Sequence, residues 1–166
     1  MSKATEVPFE TTLFVRDTCL CFHLQRAARA LARRFDEALR PLGLTSWQFS
    51  LLMALNQPAA PSIGSVASVL CADRTTLTAA LKPLQRRGLV TVSVDANDKR
   101  SRRLKLTRAG CALLARAVPI WRSSHAEFDR LLPRGGSDRL RDELRALIQR
   151  RARASAPVRT PRRLAP

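Results

Sequence analysis

The sequence predicts a mainly α-helical fold with one small β-hairpin. Apolar residues recur every three or four positions along most of the chain, which is typical of amphipathic helices. Apolar and polar residues alternate on the two sides of a basic turn near the middle, which is typical of β-strands. The chain has 166 residues, of which 45% are hydrophobic. That is enough apolar material for one packed core with additional helices.

The chain carries a strong positive charge, which indicates what kind of molecule it binds. Thirty Lys and Arg residues stand against 13 Asp and Glu, which gives a net charge of +17 at pH 7. A polyanion such as nucleic acid is therefore the expected partner. The N-terminal segment has no apolar signal core, and no run approaches the roughly 18 apolar residues of a membrane span. We expect a cytoplasmic protein without a membrane partner.

Cysteine and glycine usage argues against metal sites and catalysis. Cys19, Cys21, Cys71 and Cys111 lack the paired spacing of zinc ligands. Cys19 and His23 lie four residues apart, the minimal spacing of a thiol and a base on one helix face, but no orienting carboxylate accompanies them. The six glycines form no phosphate-binding loop. We expect no metal, no cofactor and no enzymatic activity.

Three helices are predicted in the first part of the chain. The first covers residues 15–42, where apolar residues keep one face and arginines fill much of the other. The second begins at a cap on Thr45 or Ser46, and the third covers residues 62–70. The residues of the second helix expected to face inward are Phe49, Leu52, Met53 and Leu55.

A fourth helix, from a cap at Asp73 to a stop at Gly88, has two different faces. At about 100° per residue, its leucines fall on one side, and small, hydroxylated and basic residues fall on the other. This second set comprises Thr75, Thr78, Ala79, Lys82 and Arg86. Small side chains let a helix approach a DNA major groove closely, while basic ones reach phosphates or base edges. Pro83 is expected to bend this helix or weaken its last turn.

Residues 89–94 and 103–107 predict two antiparallel strands around a basic turn. Two short helices followed by such a hairpin have the order of a winged helix-turn-helix. In that fold the second helix reads the major groove, and the hairpin, called the wing, touches the flanking backbone or the minor groove. Arg100 and Arg102 at the tip suit a narrow minor groove, and Asp98 is placed to pair with Arg100.

Residues 67–110 resemble the DNA-binding core of the MarR family of transcriptional regulators. The most specific motif is the wing signature D-x-R-x-x-x-L-x-L-T-x-x-G, and "LTSWQFSLLMAL" upstream is similar to the second helix of that family. The signature residues are Asp98, Arg100, Leu104, Leu106, Thr107 and Gly110. The resemblance extends over roughly residues 15–150.

The resemblance implies a homodimer that binds double-stranded DNA at a pseudopalindromic operator. It also implies that Arg100 enters the minor groove, that Asp98 helps to hold it, and that the residues from Thr75 to Lys82 belong to the recognition helix. The complete predicted DNA-binding set is Arg74, Thr75, Thr76, Thr78, Ala79, Lys82, Arg86, Asp98, Arg100 and Arg102.

Two more helices are predicted after the wing, one capped by Thr107 and one beginning at Ser137. Their apolar stripes need a partner, and symmetric dimers are the commonest oligomers. The predicted organisation is an N-terminal arm at 1–14, a helical dimerisation region at 15–44 and 107–151, a DNA-binding domain at 45–106, and a disordered basic tail at 152–166.

Two kinds of signal fit the sequence. The segment "LCFHLQRAARAL" is similar to the first helix of the organic-hydroperoxide-sensing branch of the family, which makes Cys21 a possible redox sensor, with Arg16 and Arg26 as nearby cations. The tyrosines of that branch are absent, and Gln25 stands where one is expected. The alternative is that Cys21 packs as a small hydrophobic residue.

The other signal is a small aromatic or amphipathic molecule bound between the dimerisation helices and the winged helix. His23, Trp47, Met53 and Trp121 are the predicted pocket residues, although each also suits a core. The predicted function is a sequence-specific dimeric repressor modulated by such a ligand. The alternatives are a peroxide-sensing repressor that uses Cys21 and a sequence-tolerant architectural DNA-binding protein.

Overall fold

The computed structural model describes the backbone of residues 6–154 and the side chains of residues 6–149. The elements are the helices α1 (Phe9–Thr18), α2 (Leu20–Leu39), α3 (Ser46–Leu55), α4 (Ile63–Val69), α5 (Arg74–Arg86), α6 (Arg108–Asp129) and α7 (Gly136–Ala154), and the strands β1 (Val90–Val94) and β2 (Arg102–Leu106). The predicted fold class, mainly α with a small β-hairpin wing, is confirmed. The chain forms two compact units that divide between Ser124 and His125.

The first predicted helix, residues 15–42, is interrupted in the structure. Cys19 adopts an extended backbone with φ −71° and ψ 105°, which separates α1 from α2. The hydroxyl of Thr18 donates to the carbonyl oxygen of Phe14 at 2.7 Å, the local side-chain bond by which threonine competes with helix continuation. Helix α1 also begins inside the segment expected to be an N-terminal arm, residues 1–14, of which residues 1–5 lie outside the described part.

The end of α2 has a clear cause in Pro41. Proline lacks an amide hydrogen and its ring crowds the preceding turn, and here α2 ends at Leu39 while the chain tightens into a 3-10 turn at Arg40–Leu42. Gly43 follows in the left-handed conformation, φ 61°, which glycine adopts without a steric cost. Helix α2 therefore stops directly before the cap of the next helix.

The predicted cap of α3 is confirmed at Thr45, and a side-chain cap is also present at α4. Thr45 accepts the amide of Gln48, whose side chain bonds back to the Thr45 amide in a capping box, and Ser62 caps α4. The expectation that Met53 faces inward is wrong, because its side chain is 43% exposed. Leu51 takes the buried position instead.

Helix α5 runs through Pro83 to Arg86. The amide of Arg87 donates to the carbonyl oxygen of Pro83 at 3.1 Å, which preserves the last turn. Pro83 thus removes one backbone hydrogen bond without ending the helix. Gly88, with φ 67°, then turns the chain into the wing.

The wing is an antiparallel hairpin in which Val90 lies opposite Leu106 and Val94 opposite Arg102. Strand β2 has a second neighbour. The amide of Leu104 donates to the carbonyl oxygen of Pro61 at 2.9 Å, and Ser62 forms an isolated bridge with Arg103. The segment before α4 therefore pairs with the outer edge of the hairpin.

The core of the first unit lies between α5 and its neighbours. Its largest fully buried side chains come from α2, α3, α4, α5 and β2; they are Leu39, Leu51, Leu52, Val66, Leu77, Leu81, Leu84 and Leu104. Because α5 supplies three of these leucines, one face of that helix is anchored inward, and its opposite face is held in solvent.

The second unit contains the end of α6 and all of α7. Arg141 donates to Asp138 at 2.6 Å, and its guanidinium lies 3.7 Å from Asp129. Hydrogen bonding from Ser137, followed by weaker effects that include Arg141, lowers the pKa of Asp129. Helix α7 extends to Ala154, and the rest of the predicted tail, residues 155–166, lies outside the described residues.

Candidate DNA interface

Helix α5, the predicted recognition helix, is fixed at its N-terminus by Asp73. One carboxylate oxygen of Asp73 accepts the amide of Thr76 at 2.7 Å, and the other accepts the hydroxyl of the same residue at 2.7 Å. These bonds, first that from the Thr76 hydroxyl, lower the pKa of the Asp73 carboxyl. Thr76 therefore belongs to the helix cap, and its hydroxyl is already engaged.

The outward face of α5 forms a shallow groove of about 330 Å³. The groove is lined by Arg74, Thr75, Thr78, Ala79 and Lys82, all of them exposed. Arg86 is also exposed, at the last residue of the helix. The structure thus brings most of the predicted recognition residues together on one accessible, basic surface, which we call the reading face.

The tip of the wing is organised by the main chain around Asp98. Its carboxylate accepts the amide of Arg100 at 2.9 Å, and its carbonyl oxygen accepts the amide of Ser101 at 2.9 Å. Sequence reasoning placed Asp98 next to the Arg100 side chain, whereas the bond described here holds the Arg100 backbone. Asp98 therefore shapes the turn from which the exposed Arg100 side chain projects.

The two other tip arginines bond to the protein itself. The guanidinium of Arg102 donates to the carbonyl oxygens of Lys99 at 2.9 Å and Ser101 at 3.2 Å. The guanidinium of Arg103 forms an ion pair with Asp95 and donates to the carbonyl oxygen of Ala60 at 3.2 Å. Arg102 is consequently less free than Arg100 to reach a ligand.

Asp95 and Arg103 were missed by sequence reasoning. Asp95 is 6% exposed, the buried charged residue of the described core, and its carboxylate also accepts the amide of Asn97 at 2.8 Å. The bond from Asn97, and then that from Arg103, lower the pKa of Asp95. The sequence did offer one indication, because aspartate often accepts a hydrogen bond from the backbone amide two residues later in a turn. Asp95 and Asp98 both do so.

The remaining wing-signature residues are structural. Leu104 and Leu106 are buried. The hydroxyl of Thr107 donates to the carbonyl oxygen of Gly88 at 2.6 Å and accepts the amide of Gly110 at 3.0 Å. A Cβ atom at Gly110 would lie 2.1 Å from the Leu89 carbonyl oxygen, so this position requires glycine to let α6 approach the base of the wing.

The candidate sensor Cys21 is exposed, and the side-chain amide of Gln25 donates to its sulfur at 3.2 Å. The two arginines proposed as activating cations have other partners: Arg16 pairs with Asp17 at 2.6 Å, and Arg26 lies 5.2 Å from the centre of the Phe22 ring. Gln25 is thus the polar side chain that contacts this thiol.

The four predicted pocket residues do not share one cavity. Met53 and Trp121 line a cleft of about 540 Å³ together with Phe49, whose ring stacks on Trp121 with centroids 6.3 Å apart. His23 lies instead on α2, in a depression among arginines, and its ring contacts the Asp17 carbonyl oxygen at 3.2 Å. Trp47 is half-buried outside the lining of either cavity.

Among residues 6–149, no group of three or more His, Cys, Asp or Glu side chains is arranged to hold a metal ion. Within the same part of the protein, no helix has the length and apolar character needed to cross a membrane.

A model of the MarR family matches residues 44–101, from the cap of α3 to the wing tip. The organic hydroperoxide resistance transcriptional regulator of Bacillus subtilis is 31% identical over 101 residues, which cover 61% of this chain and 69% of that protein. The transcriptional activatory protein BadR of Rhodopseudomonas palustris is 34% identical over 94 residues, or 55% of this chain and 54% of BadR. The match with BadR therefore spans about half the length of that relative.

Solved structures of two regulators resemble the chain over most of its length. The regulator MosR of M. tuberculosis in complex with DNA is 38% identical, with a TM-score of 0.74, and the match covers 83% of this chain and 99% of that one. The transcriptional repressor CouR bound to a 23-mer DNA duplex is 29% identical, with a TM-score of 0.72, covering 86% and 99%. These relatives are transcriptional regulators and not enzymes. The protein belongs to the MarR family of transcriptional regulators.

Proposed function

We propose that the protein is a dimeric, sequence-specific repressor whose affinity for DNA is modulated by a small aromatic or amphipathic molecule. The observation that carries this proposal is the exposure, within one compact unit, of both the reading face of α5 and the Arg100 side chain of the wing. A reading face suits the major groove, and an arginine tip suits the minor groove beside it. Residues 45–106 would form this DNA-binding domain.

The charge of this surface supports DNA as the ligand. The carboxylates nearest to it, Asp73 and Asp98, each hold a main-chain amide of the same surface. Their negative charge is therefore used in building the helix start and the wing turn. The exposed cations Lys82, Arg86 and Arg100 remain available for phosphates and base edges.

Exposed apolar side chains support dimerisation through residues 15–44 and 107–151. Val15 in α1 is 50% exposed, and Leu20 at the start of α2 is 57% exposed. In the second unit, Leu147 and Ile148 of α7 are also exposed. Large apolar residues exposed together mark protein interaction sites, and a twofold dimer would present two winged helices to the half-sites of a pseudopalindromic operator.

The cleft lined by Met53, Phe49 and Trp121 supports a small-molecule effector. Its stacked aromatic pair offers a flat apolar wall, and the exposed Arg122 at its edge offers a partner for an anionic group. An aromatic acid combines both features. The two winged helices of a dimer can adopt arrangements that fit DNA well or poorly. Such a ligand would release DNA only if it binds the poorly fitting arrangement more tightly than the other.

The test of DNA binding is a fluorescence-anisotropy titration with the duplex upstream of the protein's own gene, competed by a scrambled duplex at about 0.15 M salt. A preference of about 10³-fold or more is expected for a specific regulator. Equal binding to the upstream and scrambled duplexes, together with no enrichment of any duplex from a random pool, would instead support an architectural, sequence-tolerant protein. Aromatic acids are then screened for release, with Arg122→Gln as the variant expected to lose the response and retain DNA binding.

Cys21 supports a second candidate function, a repressor released by organic hydroperoxide. Its sulfur is exposed and accepts a hydrogen bond from Gln25, and the similar regulator of Bacillus subtilis is named for organic hydroperoxide resistance. Wild type and Cys21→Ser are compared after exposure to cumene hydroperoxide. Release of DNA by the wild type alone supports the sensor, whereas equal behaviour of the two proteins assigns Cys21 a packing role.

A further inference from the structure

The chemistry of the reading face determines which base edges it can bind. Its polar groups are the guanidinium of Arg74, the hydroxyl of Thr75 and the ammonium of Lys82. Two of these three groups donate hydrogen bonds and accept none, and the hydroxyl can do both. The groove is also lined by Thr78 and Ala79, which each carry a methyl group. The charged groups of the face are therefore donors only, and its small side chains add methyl groups and hydroxyls.

Thr78 contributes a methyl group and no free donor. Its hydroxyl donates to the carbonyl oxygen of Arg74, four residues earlier, at 2.7 Å. A hydroxyl hydrogen used inside the helix is not available to a base acceptor. Thr76 is engaged in the same manner by Asp73.

Lys82 is the cation most available to a base. It lies in the groove and forms no ion pair among residues 6–149. Arg74 is directed partly toward α4, because a Cβ atom on Gly64 would lie only 3.2 Å from its guanidinium. The neighbouring positions of the groove carry Thr78 and Ala79, which leaves Lys82 unobstructed.

None of the residues that line this groove carries a carboxylate or amide oxygen, so hydroxyl oxygens are its side-chain acceptors. The carboxylate of Asp73 is used by the helix cap. The one amide side chain of α5 belongs to Gln85, which lies beyond Pro83 next to the last residue of the helix and outside the groove lining. Because Gln85 lies outside this lining, it is poorly placed for base contacts made through the groove.

In the major groove, guanine presents two acceptors, N7 and O6, and thymine presents the acceptor O4 and a methyl group. Adenine presents one acceptor, N7, beside an amino donor, and cytosine presents an amino donor. We propose that the reading face selects keto bases: Lys82 binds a guanine through O6 and N7, and the methyl groups of Thr78 and Ala79 pack against thymine methyl groups beside it. This inference rests on the proposed sequence-specific DNA binding and names the class of half-site that the protein reads.

The first experiment selects binding duplexes from a random pool with the full-length protein. The expected half-site has one strand rich in guanine and thymine at the positions shielded by α5. Single thymines are then replaced by deoxyuridine, which removes only the methyl group, and single guanines by 7-deazaguanine, which removes only N7. We expect a loss of about fourfold in affinity per contacted methyl and of about fivefold for the contacted N7.

Protein variants assign the contacts. Thr78→Ser removes the methyl and keeps the hydroxyl, so the deoxyuridine effect at the thymine read by Thr78 should disappear. Thr78→Val keeps the methyl and removes the hydroxyl, so that effect should persist. Lys82→Met should abolish the 7-deazaguanine effect, and the matched control Gln85→Ala should change neither effect.

The outcomes separate this inference from the proposed function. A pool in which no duplex is enriched overturns both. A specific half-site that is insensitive to every deoxyuridine and 7-deazaguanine replacement, or whose base preference changes with Gln85→Ala instead, overturns the keto-base inference and leaves sequence-specific binding intact. The deoxyuridine effect could also persist in Thr78→Ser and be lost in Thr78→Val. That result would show that the hydroxyl of Thr78, and not its methyl group, contacts the base, and it would also overturn the inference.

Discussion

The guanidinium of Arg103 pairs with the buried carboxylate of Asp95 at the base of the wing tip. The same guanidinium donates to the carbonyl oxygen of Ala60, 43 residues earlier in the chain. Asp95 in turn accepts the amide of Asn97. One side chain of β2 thus joins the turn of the wing to the loop between α3 and α4, which places the tip relative to the reading face.

Asp95→Asn should weaken DNA binding and leave the helical core folded. The variant loses the ion pair and keeps a polar side chain of similar shape, so the wing loosens where it is anchored. We expect operator affinity to fall about tenfold with an unchanged helical circular dichroism spectrum. The exposed neighbour Ala96→Ser serves as the control. Wild-type affinity in Asp95→Asn would show that the tip is placed without this pair.

The same residue gives a pH dependence with a definite sign. Hydrogen bonding lowers the pKa of Asp95 in the folded protein, so its contribution to stability is fully present above the ordinary carboxyl pKa of about 3.9 and is lost as pH falls through the lower folded value. The difference in urea midpoint between wild type and Asp95→Asn should stay constant from pH 7 to about pH 5 and shrink below about pH 4. A difference unchanged at pH 3 would contradict this assignment.

Arg100→Ala and Arg102→Ala should differ although both remove one positive charge from the wing tip. Arg102 is bonded to the carbonyl oxygens of Lys99 and Ser101, whereas Arg100 is exposed and held only through its backbone. We expect Arg100→Ala to lower affinity about tenfold and to reduce the salt slope by about one. Arg102→Ala should have a smaller effect. Anisotropy titrations over a salt series measure the affinity and the salt slope of each variant. Equal losses of affinity in the two variants would show that Arg100 and Arg102 contribute alike.

Arg87→Met tests a link between α5 and the end of α2. The Arg87 guanidinium donates to the carbonyl oxygens of Gly43 at 2.6 Å and Leu42 at 3.2 Å, which the end of the 3-10 turn leaves without helical partners. We expect the free energy of unfolding to fall by about 1 kcal/mol. Arg86→Met is the matched control, with unchanged urea stability and weaker DNA binding. Equal stability of the two variants would show that the link contributes nothing.

Gly110→Ala should be among the most destabilising single-methyl additions in this chain. The new methyl would collide with the backbone of Leu89, which cannot rotate away as a side chain can. We expect a loss of about 2 to 3 kcal/mol in the free energy of unfolding. The exposed neighbour Ala109→Ser should stay within about 0.5 kcal/mol of wild type. Thermal and urea unfolding measure the difference, and a near-neutral Gly110→Ala would refute the close approach.

Local chemistry made much of the fold predictable. The cap at Asp73 and the leucines of α5 depend on neighbours within one or two turns, and both are present in the structure. The interruption at Cys19 was not predicted, because the residues on both sides of it share one helical periodicity. Periodicity indicates which side of a helix a residue takes and does not reveal a local break in its backbone.

The candidate site was predictable in its sequence-local parts only. The reading face follows from angles along a single helix, so its members could be named in advance. The hydrogen bond from Arg103 to Ala60, and the inclusion of Phe49 in the cleft with Trp121, join segments far apart in the chain. A single sequence carries no direct signal for such contacts, and His23 and Trp47 were grouped with that cleft on residue type alone.

The bond between Leu104 and Pro61 has a consequence for aggregation and for strand slippage. Strand β2 is paired on both sides, by β1 and by the segment at Pro61 and Ser62, so it presents no open edge to a strand from another molecule. A slip of one residue would turn Leu104 toward solvent and Lys105 into the core. The reach of Arg100 is therefore fixed by a register that the hairpin cannot change without unfolding its own base.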